Sequence, residues 1–238
     1  MQTSSRNLVK VITGAAATLA ATFFLGAAAA QGSREVSLLD PPQSVPNDGK
    51  IEVLEFFSYG CGACSIVEPP LEAWVKRLPP DVTFRAVPAG LNLMGVDEIT
   101  VFHTLEAMGQ RERLHKKIFE ALHNERVILG HKPTYLKWLE KNGVDPKQYE
   151  SVEQSFTVQS KVMRGRQLMG QYKVPGTPTI VVNGRALVHF LGSAAAMLAT
   201  TDRVINELRS QNVASPASSA RPPAPAKANT RTAEPAKK

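Results

Sequence analysis

Hydrophobic positions along this chain change period several times, and the changes mark its elements. Ile51 to Phe57 (Ile-Glu-Val-Leu-Glu-Phe-Phe) is a β-rich run that predicts a buried strand, with Glu55 as its anomaly. Ser58-Tyr59-Gly60 then turns the chain into Cys61-Gly62-Ala63-Cys64. Leu71, Trp74, Val75 and Leu78 follow at three- and four-residue spacing, the mark of a helix. Pro69-Pro70 within it is expected to kink or break the helix, and Pro79-Pro80 to stop it. Val82 to Val87 alternates and predicts a second strand. From Val96 to Tyr172 no strand pattern occurs. Helices are predicted over Val96–Met108, Glu112–Leu122, Pro133–Lys141, Pro146–Glu153 and Thr157–Tyr172. Strands return at Thr179–Val182 and Arg185–Phe190 around an Asn183-Gly184 turn, and Ser193 caps a last helix over Ala194–Leu208.

The ends differ from the middle. Met1 to Lys10 is basic, Val11 to Leu25 is apolar or small, and Ala28-Ala29-Ala30 precedes Gln31. That layout predicts a secretory signal peptide cleaved after Ala30, because the apolar run is shorter than the ~20 residues that span a bilayer. Val213 to Lys238 is rich in Ala, Pro, Ser and Lys without an aromatic residue, a composition expected to stay disordered. The chain carries +7 overall; residues 1–30 contribute +2 and residues 213–238 contribute +4, which leaves +1 for residues 31–212. The basic character belongs to the ends, so nucleic-acid binding by the folded part loses its support. About 180 residues remain, enough for one domain or one domain with an insertion.

The two cysteines of the chain stand three apart. A bridge over two intervening residues removes little entropy from the unfolded chain, so the pair is poorly placed as a staple and well placed for redox exchange. Placed at the start of a helix, Cys61 faces unpaired N–H groups and the positive end of the helix dipole. Both lower a thiol pKa and make a nucleophile and good leaving group. Cys64, one turn in, is expected to keep a higher pKa and act as the resolving thiol. The side chains of Gly62 and Ala63 add no donor and no charge. A zinc site would need four ligands. There is no second C-x-x-C, and His103, His115, His123 and His131 read as solvated helix faces, with His189 the fifth histidine. No bound cofactor or metal is required.

The order βαβ, helical block, ββα is the skeleton of an α/β thioredoxin fold with an inserted all-helical subdomain. The expected divisions are 31–95 for the first part with the C-x-x-C, 96–165 for the insertion, and 166–212 for the second part. Val53 to Cys64 resembles the active-site segment of the DsbA family of bacterial periplasmic disulfide oxidoreductases, and Val174-Pro175-Gly176-Thr177-Pro178-Thr179 through Gly184 is similar to that family's cis-proline loop. The similarity covers most of residues 36–210. It implies that Pro178 is cis beside the cysteines, leaving the Thr177 backbone free for an extended substrate. It also implies that an acid at Glu55 lies beneath the pair and assists proton transfer. Arg85, or alternatively Lys50, is the expected partner of Glu55. The resemblance further implies oxidation of reduced, exported proteins in the periplasm by a monomer, with reoxidation by a DsbB-type quinone-linked membrane oxidase. Weak candidates for an apolar substrate groove are Phe57, Tyr59, Leu91, Leu93 and Met94. A reductase or isomerase uses the same motif, although residues 31–50 are too few for an isomerase's dimerisation domain; a C-x-x-C metal-handling module is the remaining alternative.

One departure carries a prediction. The family's commonest dipeptide is Pro-His, whose histidine stabilises the thiolate; here it is Gly62-Ala63. Equilibration against glutathione buffers is expected to give a potential short of the oxidising end of the roughly −270 to −120 mV range of such enzymes. A value at that end would contradict the reading.

Overall fold

The structure, a computed structural model, describes residues 35–46, 48–89, 97–125, 127 and 130–214. Its elements run β1 (Val36–Leu38), β2 (Ile51–Phe57), α1 (Gly62–Val75), β3 (Val82–Pro88), α2 (Glu98–Ala107), α3 (Arg111–His123), α4 (Lys132–Lys141), α5 (Pro146–Glu153), α6 (Phe156–Gln171), β4 (Thr179–Val182), β5 (Ala186–His189) and α7 (Ala194–Ala214). The sheet order is β1-β5-β4-β2-β3, with β2 and β3 parallel and the other neighbours antiparallel. This is a thioredoxin fold with a block of five helices, α2 to α6, between β3 and β4.

β2 is central, and all seven of its residues are buried. Strand alternation sends Val53 to the face covered by Val67, Leu71 and Trp74 of α1 and by Met197, Leu198, Val204 and Ile205 of α7. Leu54 and Phe56 point to the other face, against Leu168 and Tyr172 near the end of α6. Two polar contacts tie α7 to the sheet side of the fold: Trp74 Nε1 donates to Asp202 at 2.8 Å, and Arg209 grips Asp81 at 2.7 and 2.9 Å. The core of the helical block is continuous with the C-x-x-C segment. Phe57, Tyr59 and Cys64 share one cluster with Phe102, Leu105, Leu114, Ile118, Phe119, Tyr135 and Leu139.

Two expectations are corrected. Pro69 and Pro70 do not break α1, which runs through them, because the helix is held on both sides of them by buried Cys64, Val67, Leu71 and Trp74. α7 extends past the expected end at Leu208 to Ala214, and so takes in the first two residues of the expected tail. β1 has no counterpart in the sequence reading: three residues with Leu38 80 % exposed carry no periodic signal, and pairing with β5 makes the strand. The signal peptide expected over residues 1–30 and the rest of the tail lie outside the described residues.

The Asn183-Gly184 turn sets the β4–β5 register. Asn183 and Gly184 have φ of 50° and 65°, the two positive angles that a tight hairpin of this hand needs. A Cβ at Gly184 would also collide with the Gln43 carbonyl oxygen. Gly184→Ala is therefore expected to destabilise the protein by about 1–3 kcal/mol, read as a lower thermal midpoint; an unchanged midpoint would show that the turn relaxes freely.

Candidate active site

Cys61 is the N-cap of α1, with φ −84° and ψ 114°, and its sulfur accepts the Cys64 N–H at 3.3 Å. The helix has no acidic residue in its first turn to oppose a negative charge there. Cys61 is half-buried and Cys64 is 1 % exposed, and the two sulfurs are unbonded. Hydrogen bonding from the Cys64 side chain, aided by Thr177 and the N–H groups of Cys64 and Ala63, lowers the Cys61 pKa from 9.0 to about 5. The Ala63 contribution comes from its backbone. Cys64 is pushed in the opposite direction, because it donates to the Cys61 sulfur and is buried. Gly62 is exposed, with open space where a Cβ would stand.

Pro178 is buried and follows a cis Thr177–Pro178 bond. The Thr177 carbonyl lies 3.3 Å from the Cys61 sulfur, which donates to it. Thr179 Oγ1 donates to the Gly176 carbonyl at 2.8 Å and closes the turn that holds the proline. The loop and the helix N-terminus thus meet at one sulfur, although 116 positions separate them in the chain.

Glu55 is 1 % exposed, and its Oε1 has no hydrogen-bond partner. Burial raises its pKa well above 4.5, and the charges of Glu68 and Cys61 raise it further. It shares the α1 side of β2 with Val53 and Phe57, so it does not point to solvent. The expected partners are corrected. Arg85 pairs with Glu52 at 3.4 Å, because Arg85 is in register with Leu54 and shares that residue's face, opposite Glu55. Lys50 makes no ion pair with Glu55 among the described residues. Instead Glu55 lines a cavity of about 810 Å³ whose wall includes Glu68, Leu71, Phe84, Ala86, Phe102 and His115.

The sequence reading missed the residues that hold the turn before Cys61. Tyr59 donates its N–H to Glu98 Oε2 at 2.7 Å, and the Gly60 N–H reaches Glu98 Oε1 at 3.4 Å. The Tyr59 hydroxyl meets His115 Nδ1 at 2.8 Å, and its carbonyl accepts from His123 Nε2 at 2.7 Å. Every polar atom of Tyr59 is thereby fixed by the helical block. Glu98 is fully buried at the start of α2, and burial raises its pKa. His115 and His123 are partly buried rather than free helix faces: His115 packs edge-on to Phe57, Tyr59 and Phe119, and His123 stacks on Phe119. His115, Phe119 and His123 are spaced by four, a one-face stripe that was the available signal. Phe57 and Tyr59 are likewise core residues, 0 % exposed, and not a groove. Leu91, Leu93 and Met94 lie outside the described residues. Among the described residues, no three His, Cys, Asp or Glu side chains gather as metal ligands do.

A profile of the DSBA-like thioredoxin domain matches residues 91–200, a span that holds the helical block and the Thr177-Pro178 loop. The thiol:disulfide interchange protein DsbA of Bordetella parapertussis is 40% identical over 171 residues, covering 72% of this chain and 81% of that protein. The DsbA of Pseudomonas aeruginosa is 36% identical over 152 residues, covering 64% of this chain and 72% of that one. Among solved structures, Pseudomonas aeruginosa DsbA superposes with a TM-score of 0.69 at 33% identity, over 75% of this chain and 94% of that one. The oxidoreductase DsbA from Xylella fastidiosa does so with 0.67 at 26%, over 74% and 96%. The chain belongs to the DsbA family of thioredoxin-fold proteins, and it is a thiol–disulfide oxidoreductase.

Proposed function

We propose that the chain donates a Cys61–Cys64 disulfide to reduced proteins folding in the periplasm, through a mixed disulfide on Cys61. A substrate thiolate attacks the Cys61 sulfur, the Cys61–Cys64 bond breaks, and Cys64 leaves with the electron pair and takes a proton from Glu55. A second substrate thiolate then attacks the substrate sulfur, forms the substrate disulfide and releases Cys61 as a thiolate. The observation that carries the reading is the asymmetry of the pair: Cys61 is accessible with its pKa lowered to about 5, and Cys64 is buried with its pKa raised. A good leaving group in the outer position favours release of the oxidised substrate. Gly62 and Ala63 leave the approach to Cys61 open, and exposed Ile66 offers an apolar contact one turn along the helix. The Thr177 carbonyl, next to the sulfur and before Pro178, is the backbone group that an extended substrate would pair with, by strand addition.

The reduced enzyme requires an oxidant, and a DsbB-type quinone-linked membrane oxidase fits that role. The chain acts as a monomer and is exported by residues 1–30. The inserted block of this reading is α2 to α6, so its second limit is set at the end of α6, Gln171, and not at 165, which falls inside that helix.

Three outcomes test this. Cys61→Ser is expected to abolish the oxidative refolding of reduced ribonuclease; retained activity would remove the proposal. Cys64→Ser is expected to accumulate a covalent substrate adduct that reductant releases, and absence of any adduct on Cys61 would contradict its role. The third concerns Glu55, which folding keeps neutral while the unfolded chain ionises it above its ordinary pKa of 4.5. Its folded pKa is raised, so stability falls as pH rises past that value. Glu55→Gln, which has no such charge, is expected to match the parent's thermal midpoint near pH 4 and to exceed it increasingly toward pH 7.5. Parallel stability curves would contradict the burial of an ionisable group there.

A further inference from the structure

The exchange reaction moves a proton as well as electrons, and Glu55 has no contact to solvent of its own. It is 1 % exposed, and it lines the 810 Å³ cavity. That volume admits water, whose share of the liquid is about 30 Å³ per molecule. On the same cavity wall, Glu68 of α1 and His115 of α3 face each other, with Glu68 Oε1 3.2 Å from His115 Nε2. Their side chains are 15% and 16% exposed, so the pair reaches solvent while it borders the cavity. From the whole arrangement we propose that His115, paired with Glu68, passes protons between solvent and the buried Glu55 carboxyl during thiol–disulfide exchange. This rests on the reading of Cys61, Cys64 and Glu55 given above.

Both ring nitrogens of His115 have a polar neighbour: Nε2 stands 3.2 Å from Glu68 Oε1, an ion-pair contact when the ring is protonated, and Nδ1 shares a 2.8 Å hydrogen bond with the Tyr59 hydroxyl. A hydroxyl donates to a bare ring nitrogen and accepts from a protonated one, so the ring keeps that partner whether it takes or gives a proton. Charged and titratable groups surround it: Glu68 and Glu72 of α1 and Tyr59 of the turn lie beside it, and Arg111, Glu112 and Lys116 of its own helix line the same cavity. The rings of Phe57, Phe102 and Phe119 fill the remaining contacts and hold the imidazole edge-on. His115 acts through Glu55 and touches neither sulfur.

The step that needs this path is isolated by oxidising the reduced enzyme with glutathione disulfide. The Cys61 thiolate attacks one glutathione sulfur and expels a glutathione thiolate, which leaves a Cys61–glutathione mixed disulfide. Glu55, neutral at rest, passes its proton through the cavity to His115 and solvent; Cys64 then gives its proton to the ionised carboxyl, its sulfur attacks Cys61, and the second glutathione leaves as a thiolate. The enzyme is oxidised, glutathione disulfide is reduced, and Glu55 is neutral again.

The test is rapid acid quench and intact mass measurement of the mixed disulfide in the parent, His115→Gln and His115→Ala proteins. Gln keeps a hydrogen-bonding side chain beside Tyr59 and Glu68 but carries no proton across. In both variants the decay of the mixed disulfide at pH 7 is expected to slow by about 100-fold, the lower end of what a placed acid–base group contributes. The deficit is expected to shrink toward pH 9, where hydroxide takes the proton directly, and added imidazole is expected to restore the rate in His115→Ala. An unchanged decay, or one slowed equally at every pH without rescue, would overturn the relay and leave His115 a packing residue. If Cys61→Ser still formed the mixed disulfide, the exchange reading itself would fail, which separates the two claims; His115→Gln alone suffices if His115→Ala does not fold.

Discussion

The first turn of α1 leaves its N–H groups without carbonyl partners, and the Cys61 sulfur occupies the position that satisfies one of them. The Cys64 N–H reaches that sulfur at 3.3 Å, and no first-turn acid competes with the charge that forms there. Nearly everything around the site keeps this geometry. β2 delivers the chain to the N-cap, and the Ser58-Tyr59-Gly60 turn orients it. The Thr177 carbonyl approaches from the far side of the chain. The helical block then fixes the turn through Glu98, His115 and His123, which bind the N–H, hydroxyl and carbonyl of Tyr59. The block thus does more than cover one end of the sheet, since its core cluster includes Tyr59 and Cys64 themselves.

The same arrangement places a liability in the core. Glu55 stands on a fully buried strand, with one oxygen unpartnered, beside the charges of Glu68 and Cys61. An apolar residue there would pack better. A carboxyl with a raised pKa is closer to a thiol in proton affinity, so proton exchange with Cys64 is nearer to balance than it would be from an ordinary carboxylate. In the proposed exchange the cavity lined by Glu55 gives this liability a use, as a route to solvent for the carboxyl that does not pass the cysteines.

The sequence makes the parts of the site that are local in the chain legible. A buried strand, a short turn and a C-x-x-C at a helix start are written contiguously in Ile51 to Val75, and the Asn183-Gly184 turn declares the hairpin after Thr177-Pro178. Pairings between distant elements were not legible. Charge and strand proximity suggest Arg85 for Glu55, whereas parallel register puts it on the face of Glu52. His115 and His123 sit in a helix rich in lysine and arginine, so hydropathy places them in solvent, whereas the Phe119 between them shows the buried stripe. Glu98 looks like an ordinary acid in a helix first turn; only the fold reveals that its carboxylate faces two N–H groups of another segment.

Disulfide exchange at this site depends on the split between the two thiols, and the ultraviolet absorbance of thiolate measures it directly. Titration of the reduced protein from pH 3 to 9 is expected to show one thiolate appearing with a midpoint near about 5, absent from Cys61→Ser and retained in Cys64→Ser, while Cys64 stays silent over that range. A single midpoint near the ordinary thiol value of 9.0, or a low midpoint that survives Cys61→Ser, would contradict the claim that the N-cap of α1 activates Cys61.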